Sequence, residues 1–233
     1  MEKNSRKPIV IEFNGLPGSG KTTTLSMLRW LLKDYEVIEL SSDSIRGSRW
    51  SYKDILCSKE SRKIFFTFLK AFFVISPVTW ERYKYTKRTF GYWYGIKKGS
   101  VTNHGKPRIC ILDEGIIQGF VSMAYKGTIR DKAVFLDCIR NIMESLDNVI
   151  CVNCITDVNV SKERMRARKN KWSRLDAIQD DEELLKALSV QKKQFEAIRK
   201  KAISLSISID MNDSAEQNAK KIIKNSLEMV DTI

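Results

Sequence analysis

Gly15-Leu16-Pro17-Gly18-Ser19-Gly20-Lys21-Thr22 follows the apolar run 8–13 (PIVIEF) and precedes an amphipathic segment reaching residue 33. The spacing is G-x-x-x-x-G-K-[ST], placed between a predicted strand and a predicted helix. Each part has a physical task. Glycine lets the backbone curl so that successive N–H groups face an anion, and a helix beginning near Lys21 adds its positive end to that nest. Lys21 is placed to reach the β- and γ-phosphates of a nucleoside triphosphate, and the Thr22 hydroxyl to ligate Mg²⁺. Gly15, Pro17, Gly18, Ser19, Gly20, Lys21, Thr22 and Thr23 are the candidate nucleotide-binding residues, with ATP and Mg²⁺ the expected cofactors.

Outward from this loop, short apolar runs alternate with amphipathic segments, the pattern of a parallel sheet covered by helices. Strands are predicted over residues 8–13, 36–40, 108–112, 148–155 and 203–209. The last alternates Ile203, Leu205, Ile207 and Ile209 with serines, as an edge strand with one wetter face does. Helices are predicted over 131–145, 161–168, 180–201 and 214–229. Asp180 with Glu183, and Ser214 with Gln217, carry N-cap spacing. Residues 44–106 are too long for a simple crossover, so they read as a helical insertion shaping a substrate site within one α/β domain, 1–233.

The chain has 233 residues, 42 % hydrophobic and 30 % charged, which excludes disorder and a fibre. Its 41 Lys and Arg against 28 Asp and Glu give +13, a balance that suits a polyanionic partner. With one histidine, His104, no site of two or three histidines can exist. Cys110, Cys151 and Cys154 lie in predicted strands, where a thiol is a small core residue, and the C-x-x-C at 151–154 lacks a second pair for zinc. Free thiols and the absence of an export leader point to the cytoplasm. Residues 64–75 are the most apolar stretch, short of the ~20 needed for a membrane span.

Beyond the phosphate loop, residues 109–114 (ICILDE) form an apolar strand ending in two acids. Asp113 is placed to hold a Mg²⁺-bound water; Glu114 could hold a water or a substrate hydroxyl, or cap the next segment. Asp43 and Arg46 follow the second strand, where Asp43 either orients the acceptor and takes its proton or caps a helix. Arg164 and Arg168, four apart, share a helical face suited to the charge of a transferring phosphoryl group, while Arg166 points elsewhere. Phe65, Phe66, Phe68, Phe72 and Phe73 go nearly all round one helix, as in a buried helix or one contacting a partner or membrane. Residues 81–98 interleave cations with Tyr83, Tyr85, Phe90, Tyr92, Trp93 and Tyr94, as for bases, sugar rings, anionic lipid or an ordinary helix pair.

These parts resemble the P-loop kinases of the nucleoside-monophosphate kinase group, most of all thymidylate kinase and its small-molecule relatives. The Walker A loop, the stretch 157–168 (DVNVSKERMRAR) and the tail from Ile209-Asp210 carry the resemblance. It implies a P-loop NTPase fold with five parallel strands in the order 2-3-1-4-5 and a lid over 157–175. It also implies γ-phosphoryl transfer, with Lys21, Asp43, Asp113, Arg164 and Arg168 catalytic and Thr22 and Asp113 at the metal. Thymidylate kinases carry Asp-Arg where this chain has Asp113-Glu114, which weakens the case for a nucleoside monophosphate acceptor and favours a neutral hydroxyl on a sugar, a glycan end or another metabolite; a nucleotide or nucleoside acceptor stays among the readings. Asp43, Arg46 and Glu114 are the acceptor-side candidates. A regulatory ATPase and a nucleic-acid end kinase or binding protein are the competing readings; a homodimer and peripheral membrane contact stay open.

Overall fold

The structure, a computed structural model, describes residues 9–33, 35–39, 58–98, 108–146, 148–169, 173–203 and 205–231. Its first elements are β1 (Ile9–Gly15), α1 (Lys21–Leu31), β2 (Glu36–Glu39), α2 (Lys59–Phe73), β3 (Ile75–Ser76), α3 (Trp80–Lys98) and β4 (Arg108–Leu112). Then come α4 (Ile116–Ala124), β5 (Thr128–Ile129), α5 (Lys132–Glu144), β6 (Val149–Ile155) and α6 (Val158–Ala167). A short 3₁₀ turn (Arg174–Ala177), α7 (Asp181–Ala202), β7 (Ser206–Asp210) and α8 (Ala215–Asp231) complete the order.

Five of the strands form one parallel sheet in the spatial order β2-β4-β1-β6-β7, and β3 pairs antiparallel with β5 in a small separate ribbon. The period-two alternation of β1 divides its side chains between two helical layers. Ile9, Ile11 and Phe13 pack with Leu25 and Leu28 of α1 and with Ala219 and Ile222 of α8. On the other face Val10, Cys110, Leu112 and Cys151 meet Phe68 of α2, Trp93 of α3, Phe120 of α4 and Ile139 of α5. Burial of each large apolar side chain contributes about 1.5–3 kcal/mol, which is why these strands read as nearly unbroken apolar runs. At the edge, β7 turns Ile207 and Ile209 inward and Ser208 and Asp210 outward.

Several expectations are corrected here. Phe68 and Phe72 are buried, but Phe66 is 63 % and Phe73 59 % exposed, because α2 packs on one side only. Phe90, Tyr92, Trp93 and Tyr94 point into the core, so four of the six rings of 81–98 are interior, while Tyr83, Lys84 and Lys87 stay exposed. Arg82 is likewise buried, its Nε donating to the Met123 carbonyl at 2.7 Å. Helix α6 begins earlier than expected, capped by Asp157, and ends at Ala167; Arg168 is already extended, so it does not continue the helical face of Arg164. Cys151 and Cys154, by contrast, are the core thiols expected, buried in opposite core layers.

Neither α4 nor the β3–β5 ribbon was expected. The order of strands reverses about β1: the chain first builds the β2–β4 side, then crosses to β6 and β7. In open α/β sheets such a reversal leaves a crevice at the carboxyl edge, and the loops after β1 and β4 both open there.

Candidate active site

The phosphate loop leaves β1 at Gly15 and turns through two left-handed glycines before α1 begins. Gly18 has φ 76°, and a side chain there would come within 2.7 Å of the Ser161 carbonyl oxygen; Gly20 has φ 104° and occupies the cap position of α1. Helix α6 clamps this loop from outside: Ser161 Oγ donates to the Pro17 carbonyl at 2.5 Å, and Arg164 Nη1 to the Ser19 carbonyl at 3.0 Å. The second Arg164 nitrogen donates to the Met211 carbonyl at 3.2 Å. Lys21 Nζ donates to the carbonyls of Gly15 and Leu16, both at 2.9 Å. Burial lowers the ammonium's pKa, and the charges of Asp113 and Glu114 act in the opposite direction.

Above the loop lies a cavity of about 540 Å³. One wall is residues Pro17 to Thr23; Arg164 and Arg168 come from α6 and its exit; the far wall carries Tyr85, Arg88, Asp113, Glu114, Gln118, Ser122, Tyr125 and Arg174. Thus Lys21, Thr22, Thr23, Asp113, Glu114, Arg164 and Arg168 share one space. Asp43 and Arg46 lie outside the described residues. Arg166 faces away, bound to Asp181 and to the Ile178 and Gln179 carbonyls.

An arginine does reach the acidic strand tip, from α3 rather than from the tip itself. Arg88 pairs with Glu114 at 2.8 Å and also donates to Tyr92 Oη at 3.0 Å. Arg168 pairs with the buried Asp176. Arg174 lies between the rings of Tyr85 and Tyr125, its carbon 4.4 and 4.5 Å from their centroids, and pairs with Glu81 at 3.0 Å. Each of these three cationic side chains therefore brings its own carboxylate, while Arg164 is held by carbonyl oxygens.

Tyr85, Arg88, Gln118, Ser122, Tyr125 and Arg174 are lining residues that the sequence did not single out as acceptor residues. For α3 a signal existed: Glu81, Tyr85, Arg88 and Tyr92 recur at steps of three and four and so share a face. For α4 none did, because its cap is remote. Gly115 offers no side-chain acceptor; instead Glu12 of β1 accepts from the Ile117 N–H at 2.6 Å. Glu12 is fully buried, and burial pushes its carboxyl pKa to about 7 against the pull of the Ile117, Ile116 and Gln118 amides.

No group of three metal-binding side chains occurs among the described residues. Mg²⁺ requires no such cage, since it keeps waters and substrate phosphates and takes only one or two protein oxygens. The Thr22 hydroxyl and Asp113 carboxylate, lining the same cavity, fit that donor set.

Among solved structures, the deoxyadenosine kinase of M. mycoides with the products dCMP and a flexible dCDP bound is similar to this chain. The TM-score is 0.50 and the sequence identity 14 %, with 95 % of this chain and 100 % of that one covered. At that identity the likeness shows the fold, a P-loop kinase fold, and does not single out thymidylate kinases. The sequence matches no protein-family profile and no curated protein.

Proposed function

We propose that the chain is an ATP- and Mg²⁺-dependent kinase that transfers the γ-phosphoryl group to a hydroxyl of a neutral small acceptor of the nucleoside class. One observation carries this: the phosphate loop and a polar, aromatic wall face each other across a single cavity, with an acidic strand tip between them. The acceptor wall holds two tyrosines, Gln118 and Ser122, and its arginines are neutralised by Glu114 and Glu81. A wall without excess positive charge suits a nucleoside better than an acceptor that already carries phosphate. Nucleotide products in the similar deoxyadenosine kinase support the same class.

In this mechanism Lys21 exchanges its loop carbonyls for phosphate oxygens. Thr22 and Asp113 would hold Mg²⁺, which would supply charge neutralisation between the phosphates. Arg164 and Arg168 close over the transferring group, and closure keeps water from competing with the acceptor. Glu114 orients the acceptor together with Arg88. Asp43 and Arg46, from the segment after β2, keep their acceptor-side roles on sequence alone. A hydrolysing switch would leave the wall of Tyr85, Gln118 and Ser122 without a task. Of the α3 rings that a nucleic-acid platform would stack bases on, Phe90, Tyr92, Trp93 and Tyr94 are buried.

A thermal-shift panel tests the proposed class. Nucleosides, nucleoside monophosphates and sugars are added with a non-hydrolysable ATP analogue and Mg²⁺. A nucleoside should raise the unfolding midpoint further than its monophosphate or any sugar, since only ligands bound to the folded chain stabilise it. Stabilisation by monophosphates or sugars alone would overturn the assignment.

A further inference from the structure

Helix α2 has an inner face committed to the core, through Ile64, Phe68, Ala71 and Phe72. Its outer face carries Lys59, Arg62, Phe66, Lys70 and Phe73 at steps of three and four, one continuous stripe, with Lys63 beside it. The stripe runs on into the turn before α3, where Val78 is 56 % and Trp80 68 % exposed. Trp80 stacks on Tyr83 at 4.9 Å and lies under the Lys84 ammonium, 5.9 Å from its ring. Among the described residues of α2 and the start of α3, the two carboxylates are engaged elsewhere: Glu60 pairs with Lys97 at 2.9 Å and Glu81 with Arg174 at 3.0 Å. Cations and apolar side chains are thus interleaved on a face whose described acids, Glu60 and Glu81, are already paired.

We propose that this face of α2, with the turn into α3, docks the protein on an anionic phospholipid surface. Interfacial binding sums buried apolar area and attraction to anionic headgroups, and the stripe supplies both from one rigid helix. The lysine and arginine stems can lie along the apolar surface with their charges at headgroup level. A second copy of the chain fits poorly, because a self-complementary contact would set the same cations against each other. Single-stranded nucleic acid fits less well than lipid, because Val78 offers no ring, and Phe66 and Phe73 stand about 10 Å apart along the helix, too far for neighbouring bases. The proposal is independent of the kinase reading.

Co-sedimentation of the full chain with vesicles of phosphatidylcholine, with and without phosphatidylserine, tests it. Partitioning should require phosphatidylserine and weaken at least about tenfold at high salt, which screens headgroup attraction. Arg62→Glu with Lys70→Glu should lower it at least about tenfold, each cation near such a surface being worth about fivefold. Phe66→Ser with Trp80→Ser should also lower it, at unchanged charge. All four side chains are exposed, so thermal melting should stay the same and exclude misfolding as the cause. No partitioning at low salt, equal partitioning to both vesicles, or full binding by both double variants would overturn the proposal. So would an oligonucleotide that strips the protein from vesicles, or a dimer that Phe66→Ser dissociates.

Discussion

Lys21 spends two of its three donors on the carbonyls of Gly15 and Leu16, which holds the ammonium at the mouth of the loop. Replacing it with alanine should lower kcat/KM about 10²–10³-fold while circular dichroism and melting stay unchanged, as expected of a group acting on developing charge. Glu12 behaves differently, because its pKa is raised from 4.5 to about 7 by burial. Folding favours its neutral form, so this group's stabilisation is complete below about pH 4.5 and lost as pH rises through about 7, on the order of 3 kcal/mol. Melting midpoints of the wild type should fall across that window. Glu12→Gln, which keeps the acceptor for Ile117, should flatten the fall; an identical slope in both proteins would refute the assignment.

Helix α3 shows how one element serves the core and the site at once. Trp93 is fully buried and donates to Ser145 Oγ at 2.8 Å, whereas Trp80 on the same helix is largely exposed. Trp93→Ala should cost about 3–5 kcal/mol in chemical denaturation, and Trp80→Ala no more than about 0.5 kcal/mol. Comparable losses would contradict this orientation of the helix. The 3₁₀ turn is tied by Asp176, which accepts from the Ser173 N–H at 2.6 Å and pairs with Arg168. Asp176→Ala should cost about 1–3 kcal/mol and raise the KM for ATP, since it removes half of the turn's capping box and releases Arg168, which lines the cavity. A KM equal to the wild type's would separate the turn from nucleotide binding.

Elements were legible where their signals are local. Asp131, Asp180 and the Ser214–Gln217 pair cap the helices that begin beside them. The apolar runs become strands because both of their faces are covered. Helix α4 escaped notice because its cap, Glu12, stands 105 residues away in sequence. The phosphate loop could be read because its chemistry sits in eight consecutive residues. The far wall of the cavity could not, because Tyr85, Gln118 and Arg174 come from three segments that only packing brings together.

At the scale of the whole molecule, the strand reversal at β1 sets the phosphate loop and the acidic tip of β4 on one edge, and α3, α4 and the 3₁₀ turn close the space above them. The proposed donor and acceptor sites share one cavity, and the proposal therefore calls for direct transfer rather than release of phosphate to water. Single-turnover reaction of γ-labelled ATP with a nucleoside, followed by separation of the products, reads this out. The label should pass to the nucleoside as its monophosphate, with little inorganic phosphate, and Lys21→Ala should slow the transfer about 10²–10³-fold. Label found only as inorganic phosphate, or transfer at an undiminished rate without Lys21, would show that the cavity does not work as proposed.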